Sequence, residues 1–172
     1  ENMMVETRAE GVMILAKVAG LSWSTVKAII NLRDNIAGGD PTDLLLSDGD
    51  AAANEMGFGD LSYALRIVPN TETTHNVIVC TLCSCYPVSL LGPSPGWYKS
   101  FAYRSRTVRE PRAVLAEFGL ELPGEVEITV WDSTSEARYM VLPVRPAGTE
   151  ALGADELTAL VTRNGLIGTA LV

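Results

Sequence analysis

All three cysteines of the chain fall inside one hexapeptide, Cys80-Thr81-Leu82-Cys83-Ser84-Cys85. The Cys-x-x-Cys step lets two sulfurs fold onto one ion. The Cys-x-Cys step then adds a third and exposes the peptide nitrogens of Ser84 and Cys85 between them. Sulfur donors gathered this way make a chelating claw for a soft, Lewis-acidic metal. A structural zinc ion takes four side-chain ligands in a tetrahedron, and this segment supplies three thiols. Deprotonated main-chain amides are strong-field donors that a small trivalent ion sustains. Three sulfurs with two amide nitrogens fill all but one corner of an octahedron, and an open corner marks a catalytic metal.

Two other readings fit the same thiols. One is a structural zinc site of Cys80, Cys83, Cys85 and His75, the only histidine. It is weakened because His75 falls on an expected strand well before Cys80, with no second Cys-x-x-Cys to help. The other is a redox pair, which normally opens a helix. Pro87 and the glycine- and proline-rich run after it extend none.

The elements that must carry the claw follow from periodicity. Residues 1–57 read as a helical N-terminal arm. Val12, Leu15, Ala16 and Ala19 share one face, and Trp23, Val26, Ile29, Ile30 and Arg33 continue the pattern after a cap at Ser22 or Ser24. Gly38-Gly39 stops it, Asp40 with Pro41 opens a new start, and Asp48 to Met56 is a short helix ended by Gly57. Residues 58–172 read as the α+β domain that holds the claw. Ala64 to Val68 and His75 to Val79 are strands around a polar turn, and the claw begins where the second one ends. Three prolines and two glycines within 87–96 forbid a long regular element there. Trp97 to Phe101 suits a helical turn, and Pro111 to Phe118 a helix closed by Gly119. Val126 to Trp131 and Arg138 to Leu142 suit a strand pair around a Ser/Thr-rich turn, and Asp155 to Thr162 a last helix. Helices first, then strands mixed with short helices, give an α+β order.

Composition narrows the function classes. Thirteen Lys and Arg against 21 Asp and Glu give a net charge of −8, so the basic footprint of a nucleic-acid binder is missing. No apolar run approaches the roughly 20 residues of a membrane-spanning helix. Residues Glu1 to Met4 lack the basic-then-apolar pattern of a secretory signal. Three thiols cannot all pair within one chain, and Cys83 and Cys85 are too close for an unstrained bridge. A reducing, cytoplasmic setting is therefore expected. A mean hydropathy of +0.18 beside a pI near 4.6 points to apolar surface reserved for a partner.

The segment Val79-Cys80-Thr81-Leu82-Cys83-Ser84-Cys85-Tyr86-Pro87 resembles the metal-binding motif of nitrile hydratase alpha subunits. The resemblance runs from about Asp48 to Val172. It takes in Trp97-Tyr98-Lys99-Ser100, Tyr103-Arg104-Ser105-Arg106, Pro111-Arg112, Val130-Trp131-Asp132-Ser133, Arg138-Tyr139, Arg145-Pro146-Ala147-Gly148-Thr149 and Leu160-Val161-Thr162-Arg163. It implies a layered α-β-β-α fold and a low-spin, non-corrin Co(III) centre, Thr81 marking the cobalt rather than the iron type. Cys80 would be the axial thiolate. Cys83 and Cys85 would be equatorial and oxidised to sulfinic and sulfenic acids, with the amide nitrogens of Ser84 and Cys85 completing the plane. Oxygenation fits thiolates exposed beside an open coordination site. The resemblance further implies a beta subunit whose arginines meet those oxygens, an active site at that interface, and a helper that inserts the metal. Arg104, Arg106 and Arg138 are the in-chain candidates for assisting there, and surface salt bridges are the plainer reading of each. His75 is expected to be structural. The implied reaction adds one water to a carbon–nitrogen triple bond. Cys85 serves as nucleophile or base, or a hydroxide poised at the metal attacks.

Two departures bear on substrate. Many family members carry Trp-Pro where this chain has Val88-Ser89, which widens the pocket and predicts a bulky nitrile, for example a nucleoside nitrile such as toyocamycin. The chain contains no glutamine, so the glutamine many relatives place before the claw is replaced or lost. The rival assignments are the metal-bearing subunit of thiocyanate hydrolase, which shares the claw, and a non-catalytic zinc-binding scaffold.

Overall fold

The computed structural model describes residues 46–172 except Met56, so the helices expected before residue 46 lie outside the described residues. Helix α1, Gly49–Glu55, starts where Asp48 Oδ1 accepts the Ala51 N–H at 3.0 Å, an N-cap bond that satisfies an orphan donor. It lies against strand β1, Ala64–Pro69. Asp50 Oδ1 accepts the Leu65 N–H, and a Cβ on Gly49 would come within 2.6 Å of the Leu65 carbonyl oxygen, so only glycine allows this approach. Strand β2, Thr74–Val79, delivers the chain to Cys80.

After the claw come a four-residue helix α2, Val88–Leu91, and a 3-10 turn, Gly96–Lys99, as short as the proline content requires. Helix α3, Phe101–Arg106, follows. The sequence reading had only a turn ending at Phe101, yet the signal was present: Ser100 Oγ caps the helix by accepting the Tyr103 N–H at 3.1 Å. Helix α4, Pro111–Glu117, begins with proline at its first turn, as expected.

Strands β3, Glu127–Asp132, and β4, Ala137–Leu142, do not pair with each other, contrary to the strand-pair expectation. Instead β1 pairs with β4 and β2 with β3, both parallel, in two separate two-stranded sheets. Each short connection, 70–73 and 133–136, carries the chain from one sheet to the other. The reason is burial. A hairpin with one wet face alternates, whereas β2 is buried at every position after Thr74 and β4 over its last three residues. Runs buried on both faces belong to covered, parallel sheets. Helices α5, Ala154–Leu160, and α6, Arg163–Ile167, close the described chain. Thr162, expected to end the last helix, instead caps α6 by accepting the Gly165 N–H at 3.0 Å.

The cores reproduce the layered α-β-β-α order. Ala52 and Ala53 of α1, Leu90 of α2 and Leu166 of α6 cover one face of the β1–β4 sheet at Leu65, Ile67, Met140 and Leu142. Val68 and Val141, on the opposite face, share a core with Ile78 of β2, Tyr98 and Tyr103. Leu115 of α4 and Leu120 pack on Val77, with Ile128 and Val130 of β3 alongside. This is an α+β architecture with β2 inside it, so the claw hangs from a buried strand.

Candidate metal centre

β2 ends at Val79, and Cys80, the next residue, is fully buried. Cys83 is exposed and Cys85 half-buried, so the loop climbs from the core to the surface within six residues. The turn is made at Ser84, which has a φ of 69°. A left-handed backbone at a side-chain-bearing residue costs about 1–2 kcal/mol and persists only where its surroundings enforce it. It brings Cys83 Sγ to 2.9 Å from Cys85 Sγ and to 3.8 Å from Cys80 Sγ. All three sulfurs lie within 4.8 Å of one another, the span of ligands around one ion.

The backbone of the loop is pinned at each end. Asp132, the last residue of β3, accepts from Thr81 N–H at 2.9 Å and from the Thr81 hydroxyl at 2.6 Å. The Tyr98 hydroxyl donates to the Cys85 carbonyl at 2.8 Å. Tyr103 donates to the Ile78 carbonyl at 2.6 Å and ties α3 to β2. Arg104, on α3, donates through Nε to the Cys80 carbonyl at 3.1 Å and through Nη2 to the Thr81 carbonyl at 2.8 Å and the Leu82 carbonyl. The carbonyls of Cys80, Thr81, Leu82 and Cys85 are thus all taken by side chains outside the hexapeptide, and the Cys83 N–H reaches the Cys80 sulfur at 3.3 Å.

The thiols are electrostatically unequal. Burial alone pushes the Cys80 thiol up, but the N–H groups of Cys83, Cys85 and Leu82 converge on its sulfur and carry it below the ordinary thiol range. Cys85 is pushed up to about 12 by burial, by its contact with Cys83 and by the neighbouring Cys80 charge, with Arg138 working the other way. Three thiolates this close repel one another unless a cation sits among them. That donor set, with the Cys85 amide already directed at the claw interior, fits a multivalent thiophilic ion.

The other expected residues separate clearly. Arg104 grips the claw. Arg106 makes exposed ion pairs with Glu110 at 2.5 Å and Glu117 at 2.6 Å, the plain surface reading. Arg138 lays its guanidinium 4.9 Å from the Tyr63 ring centroid while its Nε and Nη1 are buried without a hydrogen-bond partner. His75 is buried at the far end of β2. One ring nitrogen donates to the Gly168 carbonyl at 2.8 Å, and the other faces Asn70 Nδ2 at 3.3 Å. Both nitrogens are occupied away from the sulfurs, so His75 is structural and the four-ligand zinc site with it does not form. Val88 and Ser89 are exposed at the start of α2, beyond the claw. Asp132 and Tyr98 stand in segments that carry the family resemblance, but the sequence assigns neither a role at the claw. The sequence signal for Asp132 was a carboxylate closing an expected strand; that this strand lies beside β2 is visible only in the structure.

The comparisons with known proteins agree with this geometry. The family model "Nitrile hydratase, alpha chain" matches residues 37–170. The alpha subunit of a low-molecular-weight cobalt-containing nitrile hydratase from Rhodococcus rhodochrous is 53% identical over 128 residues, covering 74% of this chain and 62% of the relative. The gamma subunit of thiocyanate hydrolase from Thiobacillus thioparus is 56% identical over 107 residues, covering 62% of this chain and 44% of that one. The solved structure of a double mutant of the Fe-type nitrile hydratase from Comamonas testosteroni Ni1 superposes with a TM-score of 0.75 at 38% identity, covering 94% of this chain and 71% of the other. The chain thus spans about 62% of the length of the curated nitrile hydratase relative it matches. A matching family model over most of the chain and a three-sulfur claw hung from a buried parallel strand lead to one assignment: the chain belongs to the nitrile hydratase alpha chain family.

Proposed function

We propose that the chain is the metal-bearing alpha subunit of a cobalt nitrile hydratase that converts a nitrile to its amide. The observation that carries the reading is the claw itself: three sulfurs within 4.8 Å around a left-handed Ser84. Cobalt-containing relatives and Thr81 between the first two cysteines favour the cobalt type. The sulfurs of Cys80, Cys83 and Cys85 and the amide nitrogens of Ser84 and Cys85 would hold the ion. When bound, Co(III) supplies Lewis acidity toward the nitrile or its attacking water.

The chain's own groups do the rest. Cys85, once oxidised by dioxygen to the sulfenic level beside a sulfinic Cys83, would supply the oxygen that attacks or takes a proton from water. Arg104, Asp132 and Tyr98 keep the loop from relaxing around that step. Leu82 and Phe101, each 80% exposed, and Val88 at 55% leave apolar surface beside the claw. Arg104 joins α3, which carries Phe101, to the Leu82 carbonyl, so that helix is tied to the metal loop. Such a patch is suited to a beta subunit that closes the site from above. Val88 and Ser89, small and exposed beside it, favour a bulky nitrile. A metal-insertion helper and a cytoplasmic setting complete the reading.

A second reading has its own support, since the thiocyanate hydrolase gamma subunit is 56% identical over 107 residues. Products separate the two: a nitrile yields only amide, whereas thiocyanate yields carbonyl sulfide and ammonia. The test is to produce the full chain with its partner in cobalt medium and measure metal content, intact mass and product. About one cobalt per chain, oxygen atoms mapping to Cys83 and Cys85, and amide from a large nitrile are expected. Zinc alone without added oxygen would overturn the assignment. Brisk hydration of acrylonitrile with poor turnover of large nitriles would overturn the pocket reading.

A further inference from the structure

Arg104 engages three successive carbonyls of one loop, those of Cys80, Thr81 and Leu82. A trans peptide plane carries its C=O and the following N–H on opposite sides. A carbonyl held by the guanidinium therefore turns the next amide to the opposite side; for the Cys80 carbonyl that amide is the Thr81 N–H, which reaches Asp132 Oδ1 at 2.9 Å. Holding the Thr81 carbonyl turns the Leu82 N–H to the Cys80 sulfur, and holding the Leu82 carbonyl turns the Cys83 N–H to the same sulfur, at 3.3 Å. The fork is itself held: α3 starts at the Ser100 cap, and Tyr103, one residue before Arg104, is bonded to the buried Ile78 carbonyl at 2.6 Å.

We infer that Arg104 is the positioning residue of the claw, gripping it from outside so that the amides of Leu82 and Cys83 are turned onto the Cys80 sulfur before any metal arrives. The role belongs to the fork rather than to the charge. A lysine ammonium at the end of a flexible stem cannot match the planar guanidinium's spread of donors across adjacent carbonyls. Arg106, two residues on and paired with Glu110 and Glu117, is the matched control.

The test uses the full chain carrying Arg104→Met, Arg104→Lys or Arg106→Met. The first readout is amide hydrogen exchange of the metal-free protein. The second is cobalt(II) titration, followed by the sulfur-to-cobalt charge-transfer absorption. Both Arg104 variants are expected to speed exchange at Leu82 and Cys83 by about tenfold or more with β2 unchanged, and to weaken cobalt(II) binding about tenfold. Arg106→Met should match the parent in both. Claw exchange and cobalt affinity within twofold of the parent would overturn the inference, as would full rescue by lysine. Loss of protection spreading through β2 and β3 in both variants would also overturn it, making Arg104 a residue of the general fold. Only the second readout rests on the proposed metal site. A parent chain that fails to bind cobalt would sink that proposal and leave the exchange result standing.

Discussion

Gly168→Ala should be among the most damaging single-methyl changes available to this protein. Gly168 ends α6 with φ 87° and ψ 19°. A Cβ there would sit 2.0 Å from the Asn76 carbonyl oxygen and 2.9 Å from Val77 Cα, both backbone atoms of β2. Ordinary contact begins near 3.4 Å, so the end of α6 must withdraw from the strand by more than an ångström. The left-handed conformation alone costs an alanine about 1–2 kcal/mol. Withdrawal also breaks the bond from the buried His75 ring to the Gly168 carbonyl, worth about 1–3 kcal/mol when a buried group is left unpaired. Together the variant should lose about 2–5 kcal/mol in urea unfolding. Gly124→Ala, with nothing within 4 Å of its Cβ, should stay close to the parent. Because β2 carries His75 and ends at the residue before Cys80, the same variant should retain less cobalt at temperatures where it is still folded. A loss below about 1 kcal/mol would refute the steric argument, since even the backbone term exceeds that.

Two further outcomes follow from single contacts. Thr81→Val removes the hydroxyl bonded to Asp132 at 2.6 Å and should cost about 1 kcal/mol, modest because the pair is exposed, whereas Thr81→Ser should be nearly neutral. Equal urea midpoints for the two variants would show that Asp132 holds the loop by the backbone bond alone. The pH dependence should carry a signature of His75, whose pKa lies below 6.5 because burial disfavours its charged form, partly offset by the Gly168 carbonyl. The unfolded chain then binds the proton more readily, so stability is full above pH 6.5 and falls as pH drops from there through the lowered folded value. As the only histidine, its replacement by asparagine should flatten that slope in melts between pH 7 and 5, and an unchanged slope would contradict the assignment.

The claw was legible because its chemistry is local. Thiol identity and a spacing of three then two residues bring sulfurs together whatever the rest of the chain does, and the sulfurs do converge. Strand positions were also readable from β-branched runs at Ala64–Pro69, Thr74–Val79 and Glu127–Asp132. Their partners were not. Residues 126–142 look like a hairpin because a polar turn joins two apolar runs, yet each strand pairs with one from earlier in the chain, and nothing local to 126–142 names that partner. His75 could be read from sequence as ligand or core. The carbonyl that decides it belongs to a residue 93 positions away.

Sequence alone determined the three thiols, their spacing and their order along the loop, since those are covalent facts of a hexapeptide. Tertiary structure alone decided how the loop is held. Arg104 and Asp132 stand 24 and 51 residues from the groups they grip, and hydrogen bonds across such separations exist only once helix α3 and strand β3 have packed against β2.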